Sequence, residues 1–443
     1  MANKAKGKRP ASGPKRYLKM ASMTASLATR FAGHKLASGF RSEADQEAAR
    51  TRLNAEAGKQ LANTLGELKG AVMKIGQLAS QVSDLLPQEI SEPLKRLQKE
   101  APPMSYEVIE EQIERSLGRP VEELFASLEV QPYAAASIGQ VHRGVLHDGR
   151  EVVVKVQYPG VAQSCDSDLK QLKMAMRMAS MVKVSKKVLD GLFNEIRDRL
   201  LEELDYQQEA DNMALFRDFF ADSPEYLIPE VVNALSSREV LTMILEEGDS
   251  LKTVGESYTL TQREQFIINL FHFMTRSVFE LKAVHADPNP GNFAFRPDGT
   301  IVMYDFGCIK RLPDNIVDAY HRVVSAGLEQ DWATVDAALH DLGARIRNSR
   351  PVADDFYASW QPIVLKPFLR EEPFNFASST IHKAVMGKST EMFQHLDQFK
   401  PPVETLYLDR MVSGHYWTLV ALGAPAALGP LLREHLGAYP RAA

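Results

Sequence analysis

Cysteine is nearly absent from this chain of 443 residues: there are two, Cys165 and Cys308. They match neither a disulfide framework nor a metal-ligand spacing, which excludes a stapled secreted scaffold and fits a reducing, cytoplasmic compartment. A secretory apolar core is missing too, and so is an unbroken run long enough to span a bilayer. The most apolar stretch, Tyr416 to Leu432, has seventeen residues and is interrupted by Gly423, Pro425, Gly429 and Pro430. It reads as a buried helical hairpin. The net charge of -5 gives no ground for a nucleic-acid partner. Acidic residues are absent before Glu43, and the first nineteen residues hold seven Lys and Arg. That segment and the helix-compatible "RYLKMASMTASLATRFAGHKLASGF" after it allow three readings: a disordered tail with a packing helix, a basic amphipathic helix lying on a membrane, or a transit peptide. Finally, glycine is missing where a nucleotide-binding hairpin usually carries it. Ala134, Ala135, Ala136 and Ser137 stand there instead.

The remaining pattern divides the chain. Residues 1–40 form the basic tail, and 41–125 read as a helical extension in which Leu61, Leu65, Leu68, Val72 and Ile75 recur at helical spacing. Residues 126–247 switch to strands. Asp148-Gly149 joins two alternating runs, "IGQVHRGVL" and "EVVVKV". One long helical region, about 161–221, follows, and then two short strands at "LIPEVV" and "EVLTMIL". Residues 248–443 are mostly helical, broken by "HADPNPGNFAFRPDGTIVMYDFG".

Chemistry sits on an ordered set. Lys155 lies on the second hairpin strand, with Val154 and Val156 on the opposite face. Glu202, Glu203, Asp205 and Glu209 follow on a helical segment. Alone, these would be an exposed lysine and a solvated acidic face. Asp287 and Asn292, five apart in a proline-stiffened loop, and Asp305-Phe306-Gly307 thirteen residues beyond Asn292 change the balance. Strand lysine, helix glutamate, D-x4-N and D-F-G in that order match phosphoryl-transfer sites. Such sites work by positioning and charge neutralisation. Lys155, oriented by Glu209, would hold the α- and β-phosphates of ATP or ADP. Asn292 and Asp305 would ligate Mg²⁺, a hard ion that prefers oxygen. Asp287 would accept a proton. Leu245, Glu246 and Glu247 would present backbone to the adenine. The expected fold is α+β, protein-kinase-like and two-lobed with an N-terminal helical extension, and the nucleotide is expected in the cleft between the lobes. Two departures argue against a signalling protein kinase. Ala286 replaces the usual arginine, and after Gly307 the chain runs straight into a helix with no peptide-docking segment.

From about Lys69 to Arg311 the sequence resembles the UbiB family of atypical kinases, which includes the coenzyme Q accessory kinases. The resemblance rests on Lys74-Ile75-Gly76-Gln77 (the K-x-G-Q motif), on the alanine-rich loop followed by Ile138-Gly139-Gln140-Val141-His142, on Glu203-Leu204-Asp205 (E-x-D), and on Glu209, Asp287, Asn292 and Asp305. It implies that the K-x-G-Q segment packs over the substrate side, with Lys74 paired to Glu203, and that Lys74, Gln77, Glu203 and Asp205 are regulatory. It also implies that the alanine loop tunes nucleotide choice and restrains kinase activity. Three Cβ methyls in place of glycines narrow the loop's dihedrals and crowd a phosphate. Glu203 and Glu209, six residues apart, would sit about 240° apart around one helix and so serve different lysines.

Two functions follow from the resemblance. One is an atypical kinase or ATPase supporting isoprenoid quinone (coenzyme Q) or related lipid metabolism. The other is a nucleotide-gated lipid-binding or complex-remodelling module in which hydrolysis is a timer. Both imply contact with an anionic or isoprenoid lipid, peripheral membrane association and a biosynthetic complex.

Overall fold

The structure, a computed structural model, describes residues 13–38, 42–68, 89, 92–93, 103–135, 138–178, 186–400 and 403–440. The chain forms two compact units. The first comprises residues 1–211 and 230–245, the second residues 212–229 and 246–443.

The first unit begins with helices α1 (Gly13–Ser38) and α2 (Glu43–Leu68), followed by α3 (Tyr106–Leu117) and α4 (Val121–Leu124). Its sheet contains β1 (Ser127–Leu128), β2 (Ala134–Ala135), β3 (Gly139–Val145) and β4 (Glu151–Gln157), and later β6 (Val240–Ile244). The strand order is β1-β3-β4-β6, with β2 also on β3, and every pairing is antiparallel. The β3–β4 hairpin closes where expected. Gly149 takes φ 89°, a left-handed value glycine adopts without a Cβ penalty. Val152, Val154 and Val156 turn into the core, which places Lys155 on the other face.

Three helices occupy the region read as one long helix: α5 (Val161–Met178), α6 (Lys186–Glu203) and α7 (Tyr206–Phe219). The break after Glu203 has a local cause. The Asp205 carboxylate accepts a hydrogen bond from Gln208 N at 3.2 Å and so caps a new helix. The angular argument for Glu203 and Glu209 on one continuous helix therefore does not apply.

α1 packs on α2 and α5. Of the apolar residues of the N-terminal segment, Met20, Met23 and Leu27 are buried there, Phe31 is partly buried and Leu18 is 67% exposed. Of the three readings of that segment, the packing helix is the one the described residues show. Met20, Met23 and Leu27 are thereby committed to this core.

In the second unit β5 (Tyr226–Leu227) is followed by α8 (Leu251–Ser257) and the central helix α9 (Leu260–Phe279), which starts in a capping box between Thr259 and Gln262. Of the expected strand "LIPEVV" only Leu227 lies in β5, and Val231 makes an isolated bridge. Short strands β7 (Ala283–His285), β8 (Phe293–Phe295), β9 (Ile301–Met303) and β10 (Ile309–Arg311) then form two ladders, β7–β10 and β5-β9-β8. Helix α10 (Asp314–Glu329) begins three residues after β10. Helices α11 (Trp332–Asp341), α12 (Asp354–Val364), α13 (Ile381–Gly387) and α14 (Ser389–Gln394) lead to α15 (Val403–Leu422) and α16 (Leu428–Ala438). The last two, joined through β12 (Pro425–Ala426), which pairs with β11 (Phe374–Asn375), each pack on α9. Among the described residues no helix is long and apolar enough to cross a membrane.

Candidate functional site

Lys155 and Glu209 meet within the first unit. Lys155 Nζ donates to both carboxylate oxygens of Glu209, at 2.9 Å each. The Glu209 side chain is 3% exposed and that of Lys155 16%. The ammonium also lies 5.0 Å from the centre of the Tyr206 ring. Lys155 is therefore held by a buried acid on one side and an aromatic face on the other. Asp205 supports this arrangement indirectly. It caps the helix that bears Glu209, and its second oxygen takes Arg238 Nε at 3.3 Å.

A second polar device lies in the same unit. The fully buried Gln140 accepts from Met104 N at 2.9 Å through Oε1, and its Nε2 lies 2.9 Å from His142 Nε2. His142 Nδ1 is 2.7 Å from the Glu129 carbonyl, so Nδ1 carries the proton and Nε2 accepts. Burial lowers the His142 pKa, in keeping with a neutral ring. This chain ties the segment before α3 to the β3 strand beside the alanine loop. Gln140→Met should cost about 1–3 kcal/mol, because it leaves the Met104 amide and the His142 ring nitrogen without partners. Denaturant unfolding of the full chain measures this, and unchanged stability would show that the network is dispensable.

Ala134 and Ala135 form β2, opposite Val141 and Gln140, and both are exposed. Ala136 and Ser137 lie outside the described residues, as do Lys74 and Gln77. The Lys74–Glu203 pair therefore stays an expectation.

In the second unit the two ladders place Asp287, Asn292 and Asp305 at neighbouring strand ends. His285 pairs with Ile309, and Ala286 N donates to the Cys308 carbonyl at 2.9 Å. Phe293 pairs with Met303, and Tyr304 N donates to the Asn292 carbonyl at 3.0 Å. The loop between is stiffened by Pro288 and Pro290 and by an Asx turn in which Asn289 Oδ1 accepts Gly291 N at 3.1 Å. Asn292 Nδ2 donates to Asp287 twice, to its carbonyl at 3.1 Å and its Oδ2 at 3.0 Å. This directs the Asn292 amide oxygen away from Asp287. Asp305 Oδ1 accepts Gly307 N at 3.0 Å, and its carbonyl lies 2.6 Å from His285 Nε2. Phe306 is fully buried, its ring 5.1 Å from Phe216 and 5.2 Å from His285, and its carbonyl accepts Asn212 Nδ2 at 2.9 Å. The Asp305 turn is thus anchored on both sides.

Two residues of α15, absent from the sequence expectations, complete this half. Arg410 Nη2 approaches Asp287 Oδ1 at 3.3 Å. His415 is fully buried, 5.6 Å from the Phe293 ring, and burial with the neighbouring His285 lowers its pKa to about 3. No motif marks either residue.

In the connector, expected to present backbone to the adenine, three backbone groups have partners within the protein. Leu245 N donates to the Glu151 carbonyl at 3.0 Å. Within the second unit the Glu246 carbonyl accepts Tyr304 Oη at 2.9 Å and the Glu247 carbonyl accepts Arg296 Nε at 2.8 Å. The Glu246 carboxylate pairs with Arg296 at 2.7 Å.

Among the described residues no three His, Cys, Asp or Glu converge as a metal cage. A carboxylate and an amide oxygen at neighbouring strand ends instead suit Mg²⁺, which keeps water and phosphate oxygens in its shell.

Residues 96–339 match the family model described as the ABC1 atypical kinase-like domain. The chain is 31% identical over 391 residues to the protein named Atypical kinase COQ8B, mitochondrial, of Danio rerio, aligning 86% of itself with 61% of that protein. It is 31% identical over 397 residues to the Rattus norvegicus protein of the same name, aligning 88% of itself with 73%. The solved structure of Rv3197 from Mycobacterium tuberculosis, in complex with erythromycin, superimposes with a TM-score of 0.64 at 27% identity, covering 88% of this chain and 98% of that one. The α+β, protein-kinase-like fold expected from the motifs is the fold observed.

Proposed function

The chain belongs to the ABC1 atypical kinase-like family, and from that premise we propose that it is a Mg²⁺-dependent nucleotide phosphotransferase or ATPase serving isoprenoid quinone or related lipid metabolism. The observation that carries this reading is the Lys155–Glu209 pair, a lysine gripped through both oxygens of a carboxylate buried to 3% exposure. A strand lysine aimed by a buried carboxylate and still partly open to solvent can meet a phosphate without first losing its direction. Lys155 holds the α- and β-phosphates, and Glu209 fixes its direction. Asn292 and Asp305 hold the metal through the amide oxygen and the carboxylate. Bound there, Mg²⁺ supplies charge neutralisation to the terminal phosphates. Asp287 takes the proton of the attacking hydroxyl or water. Ala286 and the direct run from β10 into α10 favour an acceptor other than a docked peptide.

One observation supports the slower, gated reading. Both Asp287 oxygens are engaged, Oδ1 by Arg410 and Oδ2 by Asn292. A base so occupied suits restrained hydrolysis used as a timer for lipid or complex remodelling at a membrane.

Asp305→Asn tests the assignment. At MgATP about a hundred times Kd the wild-type chain should gain about 2.7 kcal/mol, read as a rise in Tm. The variant, which keeps the Gly307 contact but lacks the charge, should lose most of that gain. Equal melting shifts in the two proteins would overturn the metal assignment.

A further inference from the structure

Helix α5 carries an outward strip that no part of the nucleotide site uses. Its inner face, Cys165, Leu169, Leu172 and Met176, is buried in the first core, and α1 and α6 pack against it. Lys170, Lys173, Met174 and Arg177 recur at three- and four-residue spacing on another face. Together they line a surface depression of about 420 Å³. Met174 is 57% exposed in the middle of the cations. Asp190 engages Lys173 at 2.5 Å. Among the described residues no acid pairs with Lys170 or Arg177. The local charge is one-sided in the sequence as well, because the stretch between Asp168 and Asp190 holds six Lys and Arg and no acid.

We propose that this strip docks the protein on an anionic lipid bilayer, with Lys170, Lys173 and Arg177 at the headgroup phosphates and Met174 entering the interface. Charge complementarity selects an anionic partner. The exposed apolar Met174 among the cations favours a lipid surface, because an apolar side chain gains by entering the acyl boundary beneath the headgroups, whereas a nucleic-acid backbone offers those cations phosphates alone. Met20, Met23 and Leu27 of α1, by contrast, are buried in the core. The inference rests on the membrane part of the proposed function and is independent of nucleotide.

The test is flotation of the full chain, without nucleotide, on phosphatidylcholine vesicles with and without phosphatidylglycerol. Wild type should float only with phosphatidylglycerol, and less as salt rises. Each cation removed should weaken partitioning roughly five-fold, so Lys170→Gln with Arg177→Gln should lose about 25-fold. Lys252→Gln with Lys383→Gln, the same charge change on the second unit, should float like wild type. Met174→Ser should weaken flotation further by an amount that salt does not change, which a soluble polyanion could not reproduce. All five positions are exposed, and circular dichroism melts check that the variants fold. If the α5 double variant floats like wild type, or the control pair loses as much, the strip is not the docking face while membrane binding itself stands. If wild type fails to float, or is retained only on an RNA homopolymer, membrane docking itself is overturned.

Discussion

Lys155→Met is expected to destabilise the first unit by about 3–5 kcal/mol, because it strands the Glu209 carboxylate, 3% exposed, without its cation. Nucleotide turnover should fall by about 10²–10³-fold, the loss typical of removing one preorganised charge contact to a transition state. Glu209→Leu alone should cost less stability, since the ammonium keeps some solvent at 16% exposure and the Tyr206 ring beside it. The double variant, Lys155→Met with Glu209→Leu, should recover most of the stability, because a buried ion pair replaced by apolar groups is often neutral or better. Its turnover should stay at the level of Lys155→Met. That separation of stability from activity is what a phosphate-positioning lysine requires and a purely structural pair does not. Tryptophan fluorescence is the wrong probe, since Trp332, Trp360 and Trp417 all belong to the second unit. Hydrogen exchange of the β3–β4 amides in the full chain reports the relevant opening free energy. Recovery of turnover in the double variant would remove Lys155 from the site.

What could be read from residues alone was whatever local spacing carries. The Asp148-Gly149 turn and the alternation around Val152, Val154 and Val156 set both the hairpin and the face of Lys155, because a strand has a strict period of two. The Asp287, Asn292 and Asp305 trio was legible for a similar reason, being held by short ladders and a proline-stiffened loop within nineteen residues. Long-range contacts were not legible. Arg410 reaches Asp287 across 123 residues, and nothing local distinguishes it from a surface arginine on α15. Gln140 stands in the motif after the alanine loop, but nothing local names its partner, Met104 N, 36 residues away. The break between α6 and α7 lacks the glycine or proline that would announce it. It rests on the local cap that Asp205 gives Gln208 N, a signal that one Asp among several acids in a helical pattern does not single out. The α1 stripe shows the limit most directly. Met20, Met23 and Leu27 at helical spacing serve a bilayer or a neighbouring helix equally well, and only the packing of α2 and α5 decides between them.

The second large effect is expected from a residue with no side chain. Gly414, within α15, lies so close to the Asp287 loop that a Cβ added there would fall 1.9 Å from Pro288 Cγ and 2.6 Å from Pro288 Cβ. No rotamer relieves that overlap, because the clashing atom is the Cβ itself and the proline ring cannot swing aside. In Gly414→Ala either α15 or the loop must move by about an ångström. A shift of that size displaces Asp287 from Arg410, four residues along the same helix, and from Asn292. If Asp287 is the proton acceptor, a misplacement of about 1 Å should lower turnover on the order of 10²-fold. The overpacking should cost about 1–3 kcal/mol in stability. Nucleotide affinity should change little, since Lys155 and Asp305 keep their own anchors. The neighbouring substitution Ser413→Ala, at an exposed position of the same helix, supplies the control and should leave both quantities near wild type. Turnover and MgATP-induced melting shifts measured side by side decide the matter. A Gly414→Ala protein with wild-type turnover would show that the loop tolerates the shift and that Asp287 does not require this placement.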